Sequence, residues 1–129
     1  MQKFFGEIVG GDALARKLGF ATLNFAIEKF PQNLSGVFAA RVKLENEIHD
    51  AVVFVGKSKT FEIQKMKIEA HILNFENFET RAKRGKIEFV AKIRDAEKFT
   101  SAENLKLQIA RDVNSAAEIL NRDFPDFIF

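Results

Sequence analysis

The sequence predicts a small antiparallel β-barrel with one helix at its C-terminal end. Three observations predict it. Short segments of alternating apolar and polar residues, five or six of them, follow one another between residues 3 and 94. Turns rich in glycine and asparagine separate them. Beyond residue 100 the apolar spacing changes from two to three and four, the period of a helix. Strands at such short spacing favour a barrel. The 129 residues make one domain's length, 1–129, with the barrel over about 3–95, the helix over about 101–121 and a Phe-rich tail over 123–129.

Lys3 to Val9 reads as the first strand, interrupted by Gly6, and Gly10-Gly11-Asp12 ends it as a turn. Ala13 to Lys17 is short and closes on the basic pair Arg16-Lys17. Gly19 permits a bend before a strand that holds Thr22 and Asn24. Pro31 to Gly36 is a loop. Val37 to Glu45 follows as a strand, with Phe38, Ala40, Val42 and Leu44 on one face and Arg41 and Lys43 on the other. Asn46 sits in a tight turn to the returning strand, Ile48 to Val55. Ala51 to Val55 is apolar on both faces, which predicts cover from the barrel interior and from a packed helix or loop.

Lys65 to Phe75 is the next strand, with Ile68, Ala70 and Ile72 on one face and Glu69, His71 and Leu73 on the other. A basic connection with Arg81, Lys83 and Arg84 leads to Lys86–Arg94, where Ile87, Phe89, Ala91 and Ile93 are expected to face inward. Thr100-Ser101-Ala102-Glu103 is a capping box. Leu105, Ile109, Val113, Ala116 and Leu120 then form one stripe of a helix. The tail, with Phe124, Phe127, Ile128 and Phe129, is expected to fold back on the body.

The totals exclude some chemistry. There is no cysteine, hence no disulfide, thiolate metal site or cysteine nucleophile. A net charge of +2 singles out neither nucleic acid nor an acidic membrane. No apolar run approaches membrane-spanning length, and residues 1–6 are too poor in apolar side chains for a signal peptide. A soluble cytoplasmic protein is the expectation. The fifteen Phe, without Tyr or Trp, supply core volume and no polar handle.

A few residues could carry a reaction. Thr22 and Asn24 are two apart, so an extended backbone points their oxygens to one side. After a glycine turn and a basic pair, such oxygens suit a hard cation carrying phosphates; they equally suit a strand edge facing water. Gly6, Gly10, Gly11 and Gly19 with Arg16-Lys17 could cradle phosphates through backbone N–H groups, though no Walker A pattern is present, and glycines near hairpins often serve turns alone. Glu69 lies mid-strand with His71 on the same face. It either belongs to a wet Glu/His ladder or accepts a proton from a substrate hydroxyl. Glu69 and His71 alone are too few for a metal site.

In order, these segments resemble the riboflavin kinase family. Gly6 to Gly11 through Thr22-Leu23-Asn24 looks like the family's phosphate loop and its Pro-Thr-Ala-Asn motif. Gly36-Val37-Phe38-Ala39 is similar to its Gly-Val-Tyr-Ala strand, and Phe54-Val55-Gly56 with Thr60-Phe61 to its Asn-Ile-Gly and Pro-Thr-Phe segments. Ile68 to Phe75 resembles its Glu-x-His strand. Ile93-Arg94, Phe99, Gln108 and Asp112 look like its last strand and helix. The chain departs from the pattern at Ala15, Ala21, Phe54, Lys59 and residues 77–80.

The resemblance implies a six-stranded antiparallel Greek-key barrel with a C-terminal helix. It implies transfer of the ATP γ-phosphoryl group to the ribityl 5′-hydroxyl of riboflavin, giving FMN and ADP. Thr22 and Asn24 would hold Mg²⁺ with the ATP phosphates. Gly10, Gly11, Arg16, Lys17 and Gly19 would embrace those phosphates, and Glu69, across the barrel, would be the general base. Arg94 and Phe99 would lie on the flavin side. A fused or separate FMN adenylyltransferase is the implied partner, with neither nucleic acid nor membrane. Two rival readings are a weak or inactive flavin- or nucleotide-binding barrel of the same descent, and a small nucleic-acid-binding barrel using Arg81, Lys83 and Arg84.

Overall fold

Glycine- and turn-rich connections cut the alternating pattern into six strands, and each strand pairs antiparallel with two neighbours. The computed structural model describes residues 2–10, 21–27, 34–57, 66–73, 80–97, 99 and 101–122. The strands are β1 (Lys3–Gly10), β2 (Ala21–Phe25), β3 (Gly36–Leu44), β4 (Glu47–Lys57), β5 (Met66–Ile72) and β6 (Arg84–Arg94). Helix α1 (Ala102–Arg122) follows. The sheet closes in the order β1-β2-β5-β4-β3-β6. Strands β3, β4 and β5 are sequential neighbours and β6 returns beside β3, which is Greek-key order.

Period-two alternation sorts the side chains. Phe38, Ala40 and Val42 of β3, Val53 and Val55 of β4, and Ile68 and Ala70 of β5 fill the interior. The opposite faces of the same strands are covered too. Val37, Ala39 and Val52 pack with Ala116 and Leu120 of α1, with Phe54 and Val113 beside them. The doubly apolar stretch of β4 is therefore explained as expected, by interior on one side and helix on the other. Ser101 accepts a hydrogen bond from the Asn104 N–H and caps the helix.

Strand β6 differs from the simple pattern. Ile87 and Phe89 are interior, but Ile93 and Val90 pack on the helix-covered side. The reason is two register shifts against β3: Val37 pairs with Arg94 but Phe38 with Lys92, and Ala39 pairs with Ala91 but Ala40 with Phe89. Each extra residue turns the following side chains to the other face. Gly36 sits at the first shift, at a φ of 123°, where a Cβ would lie 2.6 Å from the Arg94 carbonyl oxygen. Among the described residues, no helix is long and apolar enough to cross a membrane. The expected Phe-rich tail, residues 123–129, lies outside the described residues.

Candidate active site

Strands β2 and β5 place four polar side chains on one outward face. Thr22 stands opposite His71, and Asn24 opposite Glu69. Opposed residues of an antiparallel pair share a face and bring their Cβ atoms to about 5 Å. Glu69 thus lies beside Asn24 on the adjacent strand and not across the barrel. Thr22, Glu69 and His71 are nonetheless buried, at 6%, 5% and 6% exposure. This excludes the wet-ladder reading of Glu69 and His71.

Three of the four, Thr22, His71 and Glu69, form a connected line. His71 Nε2 is 2.9 Å from Glu69 Oε1, and Thr22 Oγ1 is 3.3 Å from His71 Nδ1. A carboxylate only accepts, so Nε2 carries the proton it donates to Glu69. In the neutral ring Nδ1 is then the acceptor and the Thr22 hydroxyl donates to it; in the charged ring Nδ1–H donates and the Thr22 oxygen accepts. With the neutral ring, the lone pairs of that hydroxyl are left for another partner. Asn24 Oδ1 is buried with no hydrogen bond among the described residues. An orphaned buried acceptor costs about 1–3 kcal/mol, so a missing partner is expected at that atom. Two neutral hard oxygens on one face fit a small hard cation. Among the described residues no group of three or more His, Cys, Asp or Glu could hold a metal. A cation held by these two oxygens would have positions left for water and a bound anion.

Lys67, two residues before Glu69 on the same face, brings its Nζ to 2.7 Å from Glu69 Oε2. The contact is close in distance but lies outside hydrogen-bond geometry, so Oε2 keeps its capacity to accept. Burial alone pushes the Glu69 carboxyl up. The hydrogen bond and charge of His71, then the charge of the close Lys67 ammonium, outweigh it and lower the pKa to about 2. Period-two spacing already placed Lys67 on the Glu69 face, so that signal was present in the sequence. The pairing of β5 with β2 was not.

Gly10 ends β1 directly opposite Asn24. Gly11, Arg16, Lys17 and Gly19 lie outside the described residues. Arg94 and Phe99 form a second cluster. Arg94 Nε and Nη2 donate to Asp112 Oδ1 and Oδ2 at 2.9 and 2.8 Å, and Nη1 donates to the Asp95 carbonyl at 3.0 Å. Its guanidinium carbon is 5.7 Å from the Phe99 ring centroid. Gln108 also donates to Asp112, which is buried in α1. Arg94 is therefore spent on protein groups and holds the helix and Phe99. Both clusters share one register row, Asn24, Glu69, Phe54, Val37 and Arg94, so Phe54 stands next to the carboxylate.

Comparison with known proteins places the chain in a family. The riboflavin kinase family model (Flavokinase) matches residues 2–120. The bifunctional riboflavin kinase/FMN adenylyltransferase of Haemophilus influenzae is 32% identical over 120 residues, which are 92% of this chain and 39% of that protein. The chain thus spans about two fifths of the length of the bifunctional relatives it matches. In fold it is similar to the Macrolide-efflux Protein from Streptococcus pneumoniae, with a TM-score of 0.75 and 24% identity over 95% of this chain and 39% of that one. It is also similar in fold to riboflavin kinase from Trypanosoma brucei, with a TM-score of 0.61 and 24% identity over 95% of this chain and 83% of that one. The chain belongs to the riboflavin kinase family.

Proposed function

We infer that this protein transfers the ATP γ-phosphoryl group to the ribityl 5′-hydroxyl of riboflavin, giving FMN. The observation that carries this reading is the buried line Thr22–His71–Glu69, with the orphaned oxygen of Asn24 beside it. Phosphoryl transfer asks the protein for positioning and charge stabilisation, with little covalent work. Glu69 Oε2 accepts the hydrogen bond of the 5′-hydroxyl, orients it and takes its proton. A carboxylate near 2 is a weak base. That suits a loose transition state, in which the proton leaves late. Lys67 and His71 keep the carboxylate ionised and fixed. His71 also turns the Thr22 oxygen outward.

Thr22 Oγ1 and Asn24 Oδ1 would hold Mg²⁺ with the ATP phosphates, and such an ion would supply neutralisation of phosphate charge. Gly10, Gly11, Arg16, Lys17 and Gly19 wrap the phosphates, and Phe99, held by Arg94, covers the flavin side. FMN adenylyltransferase activity, fused or separate, consumes the product, and the cytoplasm is the setting that supplies ATP. Phe54, where the family pattern has Asn, puts an apolar ring beside Glu69, and this favours as a second reading a slow enzyme or a flavin-binding relic.

Incubation with riboflavin, ATP and Mg²⁺, followed by separation of the flavins, tests both. FMN is expected, with Glu69→Gln slowing its formation by at least about 100-fold. Thr22→Ala and Asn24→Ala should weaken Mg²⁺-ATP use more than riboflavin binding. Absence of FMN from the wild type, with flavin fluorescence still quenched, would leave only the second reading.

A further inference from the structure

On the outer face of β1, β6, β3 and β4, side chains line up in register rows. One row reads Lys3, Glu88, Arg41, Asp50, with strictly alternating charge, and Arg41 Nε lies 3.5 Å from Asp50 Oδ1. The adjacent row reads Phe5, Lys86, Lys43, Ile48. Here two lysines stand directly opposite each other, an arrangement that destabilises a sheet. Among the described residues neither has a carboxylate within ion-pair distance.

The apolar residues at the two ends of this row are exposed, Phe5 at 73% and Ile48 at 64%. Phe5, Lys43, Arg84 and Lys86 line an open cleft of about 460 Å³, with Glu45 as its carboxylate. Lys86 Nζ sits 5.8 Å from the Phe5 ring centroid. The closed strand order puts β3 and β6 on the far side of the barrel from β2 and β5. The cleft is thus separate from the Thr22–Glu69 face.

One row satisfies its own charges, while its neighbour leaves two facing cations between exposed apolar side chains. Folding does not require the second pattern, and the pattern suits an anion with a flat apolar body. We propose that this cleft binds the phosphate ester of an aromatic ring system. The phosphate lies between Lys43 and Lys86 with Arg84 in reach, and the ring stacks on Phe5. A flavin phosphate and an adenine nucleotide share this chemistry. The site does not depend on the kinase reading.

Equilibrium dialysis of the full chain with FMN, ADP, riboflavin and inorganic phosphate, at low and high salt, tests it, with Lys43→Glu and Phe5→Ser as variants. The wild type should bind one more equivalent of FMN or ADP than Lys43→Glu, whose affinity at this site falls at least about 10-fold. Whichever of the two is lost identifies the natural source. Phe5→Ser should weaken the same binding, and riboflavin, which has no phosphate, should not respond to Lys43. Lys43→Glu sets a carboxylate opposite Lys86, so it should raise Tm by about 1–4 °C while losing the ligand. FMN formation should be unchanged in both variants. Equal stoichiometry in the wild type and Lys43→Glu would overturn the proposal. Binding of inorganic phosphate as tight as FMN or ADP, indifferent to Phe5, would overturn the aromatic part.

Discussion

Glu69 is the residue whose energetics are most exposed to pH. Its folded pKa of about 2 lies below the ordinary value of 4.5. A depressed carboxyl stabilises the fold fully above the unfolded pKa and loses that contribution as pH falls toward the folded one. The window is therefore about pH 4.5 down to about 2, and the shift corresponds to roughly 3 kcal/mol. Urea unfolding at pH 7, 4.5 and 3 should show this loss in the wild type and a much smaller one in Glu69→Gln. An equal decline in both would mean that other carboxyls carry the acid sensitivity. At this scale the sequence was half legible. Period two put Thr22 with Asn24, and Glu69 with His71, on common faces. It could not put the two pairs together, because the pairing of Thr22 with His71 bridges 49 positions.

The strands show where alternation suffices and where a partner decides. β3 was readable throughout, since its two faces follow period two from Val37 to Leu44. β6 was readable only to Phe89, because its shifts are set by β3 and by the Gly36 corner. Gly36→Ala should destabilise by at least about 1–2 kcal/mol in chemical denaturation, since alanine at this φ is strained and its methyl meets the Arg94 carbonyl. A stability within about 0.5 kcal/mol of the wild type would show that the corner relaxes freely. The β3–β4 turn holds Glu45 at a φ of 55°, which a sequence reading centred on Asn46 did not anticipate. A two-residue hairpin loop needs a positive φ at its first position whatever residue occupies it.

For the whole molecule, the join of barrel and helix rests on more than apolar contact. The buried Asp112 receives both arms of Arg94, and Arg41 Nη2 donates to the Leu120 carbonyl near the helix end. Removing one partner of a buried pair strands a charge, so Asp112→Ala should cost about 3–5 kcal/mol, measured by urea unfolding. The double variant Arg94→Met/Asp112→Leu should recover much of that loss. A double variant no more stable than Asp112→Ala would refute the stranded-charge account. The helix and most buried faces could be read from the periods, whereas the order that sets β2 beside β5 could not, and Glu69 was expected across the barrel.

Closure of the barrel by β1 against β6 also bears on how the chain is made. Lys3 to Glu7 pair with residues 84–88, about eighty positions later. A ribosome adding 5–20 residues per second needs roughly 4–16 s to supply that partner. During synthesis the first strand therefore waits with one edge unpaired, and a chaperone that shields it would act in that interval.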